Sequence, residues 1–101
     1  MNGDFIYHIT TQTQWEEAQR KGFYEADTLA SEGFMHCSTE DQVPGVLSRY
    51  YQGRTGLVKL TIQKDKVERP LIFELAGSIN ELFPHIHGQL NLDAVVAVMP
   101  I

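Results

Sequence analysis

The chain has 101 residues, of which 43% are hydrophobic and 21% are charged, and this composition is typical of a globular domain, not of a disordered or membrane-embedded chain. A formal net charge of -5 disfavours nucleic acid as a partner, because phosphate binding requires a basic face. The single cysteine, Cys37, excludes an intramolecular disulfide and is typical of a reducing compartment. Because Met1–Asp4 shows no export signal and no apolar run has membrane length, we predict one cytoplasmic domain over residues 1–101 without a membrane partner.

The first predicted element is a strand over Asp4–Thr10, where aromatic and β-branched residues predominate. Side chains alternate between the two faces of a strand, so Ile6, His8 and Thr10 share one face. That face begins apolar and ends polar. We therefore expect His8 and Thr10 to lie together at the polar carboxyl end of this strand.

A helix is predicted directly after this strand. Thr11 and Thr13 each precede a glutamine or glutamate by three residues, so each fits the capping-box pattern that satisfies two unpaired N–H groups at a helix start. Gly22 is placed to end the helix in the left-handed conformation. The residues facing the core would be Trp15 and Ala18.

The segment Phe23–Ser31 has no clean periodicity, and its Asp, Thr and Ser residues predict a turn or a single helical turn. A short, mostly apolar strand follows over Phe34–Cys37, and His36 projects from it. Ser38 and Thr39 close this strand and open a helix-start pattern, so unpaired backbone N–H groups should gather just beyond His36. An imidazole beside free N–H donors is the geometry of a ligand site, although a core histidine beside an ordinary helix cap has the same pattern.

A second helix is predicted by the helical spacing of Val43, Val46, Leu47 and Tyr50, and it ends at Tyr51–Gly53, where the glycine terminates it. Pro44 is tolerated only in the first turn of a helix, which favours Asp41 as the cap.

Strands dominate the second half of the chain. Proline, glycine and two histidines predict a loop over Glu81–Gly88. Helices in the first half and strands in the second predict an α+β domain with a mixed, mostly antiparallel split sheet and two main helices. The strands predicted in this half are Leu57–Ile62, Leu71–Leu75 and Ala94–Met99.

Four histidines in one small domain are the main functional lead. His85 and His87 can place two imidazoles near one metal ion, with Glu74, Glu32 or Asp41 adding an oxygen ligand, but their spacing matches no sharp zinc pattern. Cys37 lies beside His36 and before a helix start, where a thiol is activated as a nucleophile. Neighbouring residues on a strand point to opposite faces, however, so nucleophilic catalysis by Cys37 is disfavoured.

Four stretches of the chain resemble a known family. They are residues 7–10 (Tyr-His-Ile-Thr), the pattern Trp15, Ala18, Gly22 and Tyr24, residues 32–38 with Gln42 and Val43, and residues 83–88 (Phe-Pro-His-Ile-His-Gly). On these residues the chain is identified as a member of the small bacterial domain-of-unknown-function family nine-five-two. The resemblance covers nearly the full length and implies an ADP-ribosyltransferase-like fold, a split mixed β-sheet that elsewhere binds NAD in a cleft.

Within this resemblance, His8 and Thr10 match the His-x-Thr of an NAD-binding first strand, in which the histidine contacts the adenosine ribose. His36 matches a second polar position of that fold, and Glu74 and His85 are both candidates for the third. In the transfer that the fold implies, Glu74 or His85 would stabilise the positive charge that develops as nicotinamide leaves.

The predicted site therefore contains a ligand-binding group and a catalytic group. The ligand-binding residues are His8, Thr10 and Ser38, and the catalytic residues are His36, Glu74 and His85. The predicted ligand is NAD or another nucleotide-derived small molecule, with ADP-ribose transfer as the reaction. Two other functions stay open: a non-catalytic ligand-binding or regulatory module, and a histidine-based metal-binding protein.

Overall fold

The computed structural model of the chain describes residues 4–76 and 79–101. The prediction that no export signal is present concerns Met1–Asp4, most of which lies outside these residues. The helices are α1 (Gln12–Lys21), α2 (Asp27–Glu32) and α3 (Val43–Tyr50). The strands are β1 (Phe5–Thr11), β2 (Phe23–Tyr24), β3 (Met35–His36), β4 (Leu57–Gln63), β5 (Leu71–Ala76), β6 (Ile79–Ile86), β7 (Leu90–Asn91) and β8 (Val95–Pro100).

The strands form two three-stranded sheets and one small ribbon. The first sheet has the order β1-β4-β8, the second has the order β3-β6-β5, and β2 pairs with β7. Within residues 4–76 and 79–101, every pair of neighbouring strands is antiparallel. The predicted α+β class with mostly antiparallel strands is therefore confirmed.

One backbone bridge connects the two larger sheets. The N–H of Tyr7 donates to the carbonyl of Ser38 at 2.8 Å, and the N–H of Ser38 donates back to Tyr7 at 2.7 Å. Because Tyr7 lies on β1 and Ser38 lies just beyond the end of β3, this bridge holds the end of β3 beside β1. The polar ends of both strands are thereby brought to one place.

The first helix has the boundaries that its local sequence predicts. Thr11 is its cap, since the Thr11 hydroxyl accepts a hydrogen bond from the N–H of Gln14 at 3.0 Å. Gly22 ends it with a φ of 91°, a conformation that residues with a Cβ rarely adopt. Trp15 and Ala18 are buried, as predicted. In the part of the chain that the structure describes, no helix combines the length and apolar character needed to cross a membrane.

The predicted turn over Phe23–Ser31 contains more structure than expected. It forms the two-residue strand β2 and the helix α2, and Gly33 ends α2 with a φ of 85°. The predicted cap at Asp41 is wrong. Thr39 forms the capping box instead, with Gln42 as its partner, in a short 3-10 turn over Glu40–Gln42 that leads into α3.

The loop predicted over Glu81–Gly88 is also wrong, because most of it belongs to the strand β6. Pro84 lies inside this strand, where its carbonyl accepts a hydrogen bond from the N–H of Cys37 at 2.9 Å. Proline cannot return the reciprocal bond. Pro84 therefore costs β6 only one hydrogen bond, at the point where β3 ends. For this reason proline is tolerated here, although it is rarely found in the central strand of a sheet.

The core packs both larger sheets against α1. Ile6 and Leu60 come from the first sheet, Met35 and Ile86 from the second, and Trp15 from α1, and all five belong to one cluster of buried side chains. One apolar core therefore fixes the two sheets relative to each other, and the cleft described next lies beside it.

Candidate functional site

A cleft of about 680 Å³ lies between the end of β1, the segment from β2 to α2, and the C-terminal end of α3. Ligand sites in proteins usually have volumes of roughly 300 to 1,000 Å³. Four of the six residues predicted from the sequence line this cleft, namely His8, Thr10, His36 and Ser38. The structure therefore brings the ligand-binding group and one member of the catalytic group together.

His8 is the buried anchor of the cleft wall. Its Nδ1 lies 2.6 Å from the backbone carbonyl of His36, and its Nε2 lies 2.8 Å from the hydroxyl of Tyr24. A carbonyl oxygen only accepts hydrogen bonds, so Nδ1 carries a proton. The ring therefore connects β1 to β3 on one side and to β2 on the other.

Burial lowers the pKa of His8 from 6.5 to about 4, and the bond to the His36 carbonyl opposes only part of this shift. The ring is consequently neutral at about pH 7. With its proton on Nδ1, a neutral His8 presents Nε2 as a hydrogen-bond acceptor.

A chain of polar contacts continues from His8 to the surface. The hydroxyl of Tyr24 lies 2.9 Å from that of Thr10, which donates to Oε1 of Gln14 at 2.6 Å. Nε2 of Gln14 then donates to both carboxylate oxygens of Asp27, each at 3.2 Å. Elements that are distant in sequence thus share one continuous hydrogen-bonded wall.

The mouth of the cleft carries charges of both signs. Nε2 of His36 lies 3.3 Å from both carboxylate oxygens of Glu32, at the end of α2. Arg54 also lines the cleft, and its guanidinium lies 5.3 Å from the ring centre of Tyr51. The neighbouring Tyr50 lines the cleft with 60% of its surface exposed. The residues that line the cleft thus include a carboxylate beside His36, a cation and one exposed aromatic ring.

Glu74 and His85 form a separate cluster. Among the described residues, neither of them lines the cleft. Oε1 of Glu74 lies 2.9 Å from Nδ1 of His85 and 2.8 Å from Nε2 of His87. These two hydrogen bonds hold the pKa of the Glu74 carboxyl below its usual value. The catalytic roles assigned to Glu74 and His85 stay predictions.

His36 connects this cluster to the cleft. The ring of Phe34 stacks on His85, with ring centres 4.2 Å apart, and the ring of His36 meets that of His85 edge-on at 4.9 Å. Nε2 of His85 is buried and has no hydrogen-bond partner among the described residues. In the same part of the chain, no three His, Cys, Asp or Glu side chains are grouped so that they could hold a metal ion.

Cys37 also borders the cleft, but its side chain is buried, and burial raises the pKa of its thiol. A thiol in such surroundings is a poor nucleophile. The geometry therefore agrees with the sequence argument against nucleophilic catalysis by Cys37.

Comparison with known proteins identifies the family of this chain. Residues 9–98 match the family described as "Protein of unknown function (DUF952)". The chain belongs to this family. A search of curated proteins found no match.

Solved structures with the same fold come from one relative in this comparison. The crystal structure of Protein CC0527 from Caulobacter crescentus superimposes with a TM-score of 0.85 at 25% identity, covering 95% of this chain and 84% of that one. The solution NMR structure of CC0527 gives a TM-score of 0.82 at 24% identity, covering 97% and 84%. These similarities establish the fold that this DUF952 chain shares with CC0527.

Sequence reasoning missed several residues of the DUF952 cleft. Tyr24 is buried, as aromatic residues usually are, but its hydroxyl also belongs to the hydrogen-bonded wall, and so does the side chain of Gln14. The helix start at Thr11 was a usable signal, because it places Gln14 in the first turn of α1, within reach of Thr10. Asp27 and Arg54 come from segments whose approach to β1 depends on the tertiary fold, and no local pattern predicts it.

Proposed function

We propose that the cleft binds NAD or a related nucleotide through its ribose. The observation that carries this proposal is the hydrogen-bonded wall from His8 to Asp27, in which His8 and Thr10 hold the relative positions implied by the His-x-Thr resemblance. Ribose hydroxyls both donate and accept hydrogen bonds, so a wall of hydroxyl, amide and carboxylate groups suits them.

The remainder of the cleft supports the same ligand class. Arg54 supplies one guanidinium for a phosphate group, and Tyr50 supplies an exposed ring on which a flat base can stack. Ser38 also lines the cleft and forms the bridge to β1. The ligand would therefore extend from the polar wall to the aromatic end of the cleft.

We further propose that the fold is a variant of the ADP-ribosyltransferase-like fold. Two features support this proposal. Besides the β2–β7 ribbon, the described residues form two three-stranded sheets that meet at the bridge between Tyr7 and Ser38, and the cleft opens beside that bridge. The proposal accounts for the position of His8 and Thr10 on the first strand.

Transfer of ADP-ribose is a second candidate, favoured by the contact between Glu32 and His36 at the cleft mouth. In this reaction the bond between ribose C1′ and the nicotinamide nitrogen breaks, and its electron pair leaves with nicotinamide. Water or an acceptor oxygen bonds to C1′ and passes its proton to the Glu32 carboxylate. The same carboxylate would stabilise the positive charge that develops on the ribose.

Thermal-shift and calorimetric titrations with NAD, ADP-ribose and nicotinamide test these proposals. We expect NAD and ADP-ribose to raise the melting temperature, because a ligand that binds only the folded state stabilises it in proportion to the logarithm of its concentration over Kd. His36→Ala should weaken NAD binding about tenfold, since it removes a polar group from the cleft wall. Chromatography of the same mixtures after long incubation would detect nicotinamide, which transfer or hydrolysis releases and simple binding does not.

His87→Ala is the matched control for His36→Ala. Both histidines are partly exposed and both rings contact Phe34, but His36 lines the cleft and His87 does not. His87→Ala should therefore leave NAD affinity unchanged. No stabilisation by NAD or ADP-ribose, or equal losses in the two variants, would contradict nucleotide binding in this cleft.

A further inference from the structure

The hydrogen-bonded wall of the cleft is one proton short. Three of its contacts need a proton each: His8 Nε2 to the Tyr24 hydroxyl, Tyr24 to the Thr10 hydroxyl, and Thr10 to Oε1 of Gln14. The proton of neutral His8 is used on the His36 carbonyl, and the N–H groups of Gln14 face Asp27. Only the two hydroxyl protons remain for these three contacts.

The missing proton can come from either end of the wall. Protonating His8 would place a charge on a fully buried ring, and burial opposes it, as the lowered pKa of His8 indicates. Alternatively, the Gln14 amide can rotate so that its N–H group faces Thr10. Gln14 then donates to Thr10, Thr10 to Tyr24, and Tyr24 to His8 Nε2, so that all three contacts have a proton.

Rotation of the Gln14 amide is unfavourable at the solvent-exposed end of the wall, where Gln14 meets Asp27. It turns Oε1 of Gln14 toward the carboxylate of Asp27, so two acceptors face each other. The bonds that it breaks are long, at 3.2 Å, and exposed to solvent, and such bonds contribute little to stability. A ligand that offers two adjacent donors at this point would remove the conflict.

We propose that Gln14 and Asp27 form a vicinal-diol site at the polar end of the cleft. One ribose hydroxyl donates to the Asp27 carboxylate, the adjacent hydroxyl donates to Oε1 of Gln14, and the amide rotates when the ligand binds. Both residues line the cleft. This assignment rests on the proposed nucleotide binding and deepens it, because it makes the diol the group that the site selects.

Calorimetric titration with NAD and with an NAD analogue that lacks the 2′- and 3′-hydroxyls of the adenosine ribose tests the assignment. The wild-type protein should prefer NAD about tenfold, since the analogue cannot supply the two donors that Asp27 and the rotated Gln14 accept, and Asp27→Ala should abolish the preference. If the wild type bound NAD and the analogue with equal affinity, the diol site would be overturned, but nucleotide binding would not. Absence of NAD binding would overturn both.

Repeating the NAD titration in two buffers with different ionisation enthalpies identifies the source of the missing proton. Rotation of Gln14 involves no net proton uptake. Uptake of one proton per NAD bound by the wild type, but not by His8→Gln, would mean that His8 becomes charged, and would overturn the rotation.

Asp27→Asn tests the rotation without any ligand. The amide that this substitution introduces can donate to Oε1 of the rotated Gln14, so the wall would have all its protons in the free protein. We expect Asp27→Asn to have a higher melting temperature than the wild type, because the rotated Gln14 amide then completes the wall without two acceptors facing each other. Without rotation, the substitution only replaces the carboxylate that accepts from Gln14 by a neutral amide oxygen, so a melting temperature at or below that of the wild type would overturn the rotation.

Discussion

At the scale of single residues, His8 has the most strongly altered environment in the cleft wall. Its ring is buried, it is bonded on both nitrogens, and its pKa falls from 6.5 to about 4. Between these two pH values the unfolded chain holds a proton on His8 that the folded protein does not. Stability contributed by the neutral ring is therefore present above about pH 6.5 and is lost as the pH falls toward 4.

We expect this loss to reach about 3 kcal/mol in the free energy of unfolding, because each pKa unit corresponds to about 1.4 kcal/mol. Urea unfolding of the wild type and of His8→Gln at about pH 7 and about pH 4.5 would measure it. The variant lacks the titrating ring, whereas all other histidines and carboxylates are common to both proteins. The stability difference between them should therefore shrink at the lower pH, and an unchanged difference would show that His8 is not held neutral by burial.

At the scale of elements, the start of α3 is fixed by Thr39, not by Asp41. The Thr39 side chain accepts from the N–H of Gln42, and the Gln42 side chain accepts from the N–H of Thr39 at 2.9 Å. Gln42 also donates to the carbonyl of Leu82 at 2.7 Å, which attaches this turn to β6. The capping box is thus part of the wider connection between the first and second halves of the chain.

Thr39→Ala should lower the free energy of unfolding by about 1 kcal/mol, the usual cost of losing a helix cap. Asp41→Ala is the control, since Asp41 is exposed in the same turn and should change stability by less than about 0.5 kcal/mol. Denaturant unfolding of the two variants would measure both values. If Asp41→Ala lost more stability than Thr39→Ala, Asp41 would be the cap and the assignment to Thr39 would be wrong.

The same elements indicate what a sequence can predict and what it cannot. The helix α1 is predictable because its signals, Thr11 at the start and Gly22 at the end, are local. The strand β6 is not, because Pro84 is a strand breaker by local rules, and the backbone bond that it receives comes from Cys37, far away in sequence. The two-residue strands β2 and β7 exist only through their pairing.

The residues of the site also divide into those that local sequence predicts and those that it does not. His8 and Thr10 were placed on one face by strand alternation alone, and the structure has both on the cleft wall. Tyr24 joins them through hydrogen bonds between side chains that lie 16 and 14 residues apart. A contact of this kind depends on the packing of β2 against β1, which no sequence period encodes.

At the scale of the whole molecule, the two larger sheets share a core although they share only one backbone bridge among the described residues. Leu60 in the first sheet, Ile86 in the second and Trp15 on α1 belong to the same buried cluster. A shared core makes the sheets depend on each other, so the protein should unfold in one cooperative step.

Ile86→Ala tests this dependence at a distance. Ile86 is completely buried in the second sheet, and its truncation should cost about 2 to 5 kcal/mol. Trp15, the only tryptophan of the chain, reports by fluorescence on the packing of α1 against the first sheet, while circular dichroism reports on all elements. If the core is shared, Ile86→Ala should move both denaturation midpoints by the same amount. Ile72→Ala, at an exposed position of β5, should move neither, and a Trp15 midpoint that stays in place in Ile86→Ala would mean that the two sheets unfold independently.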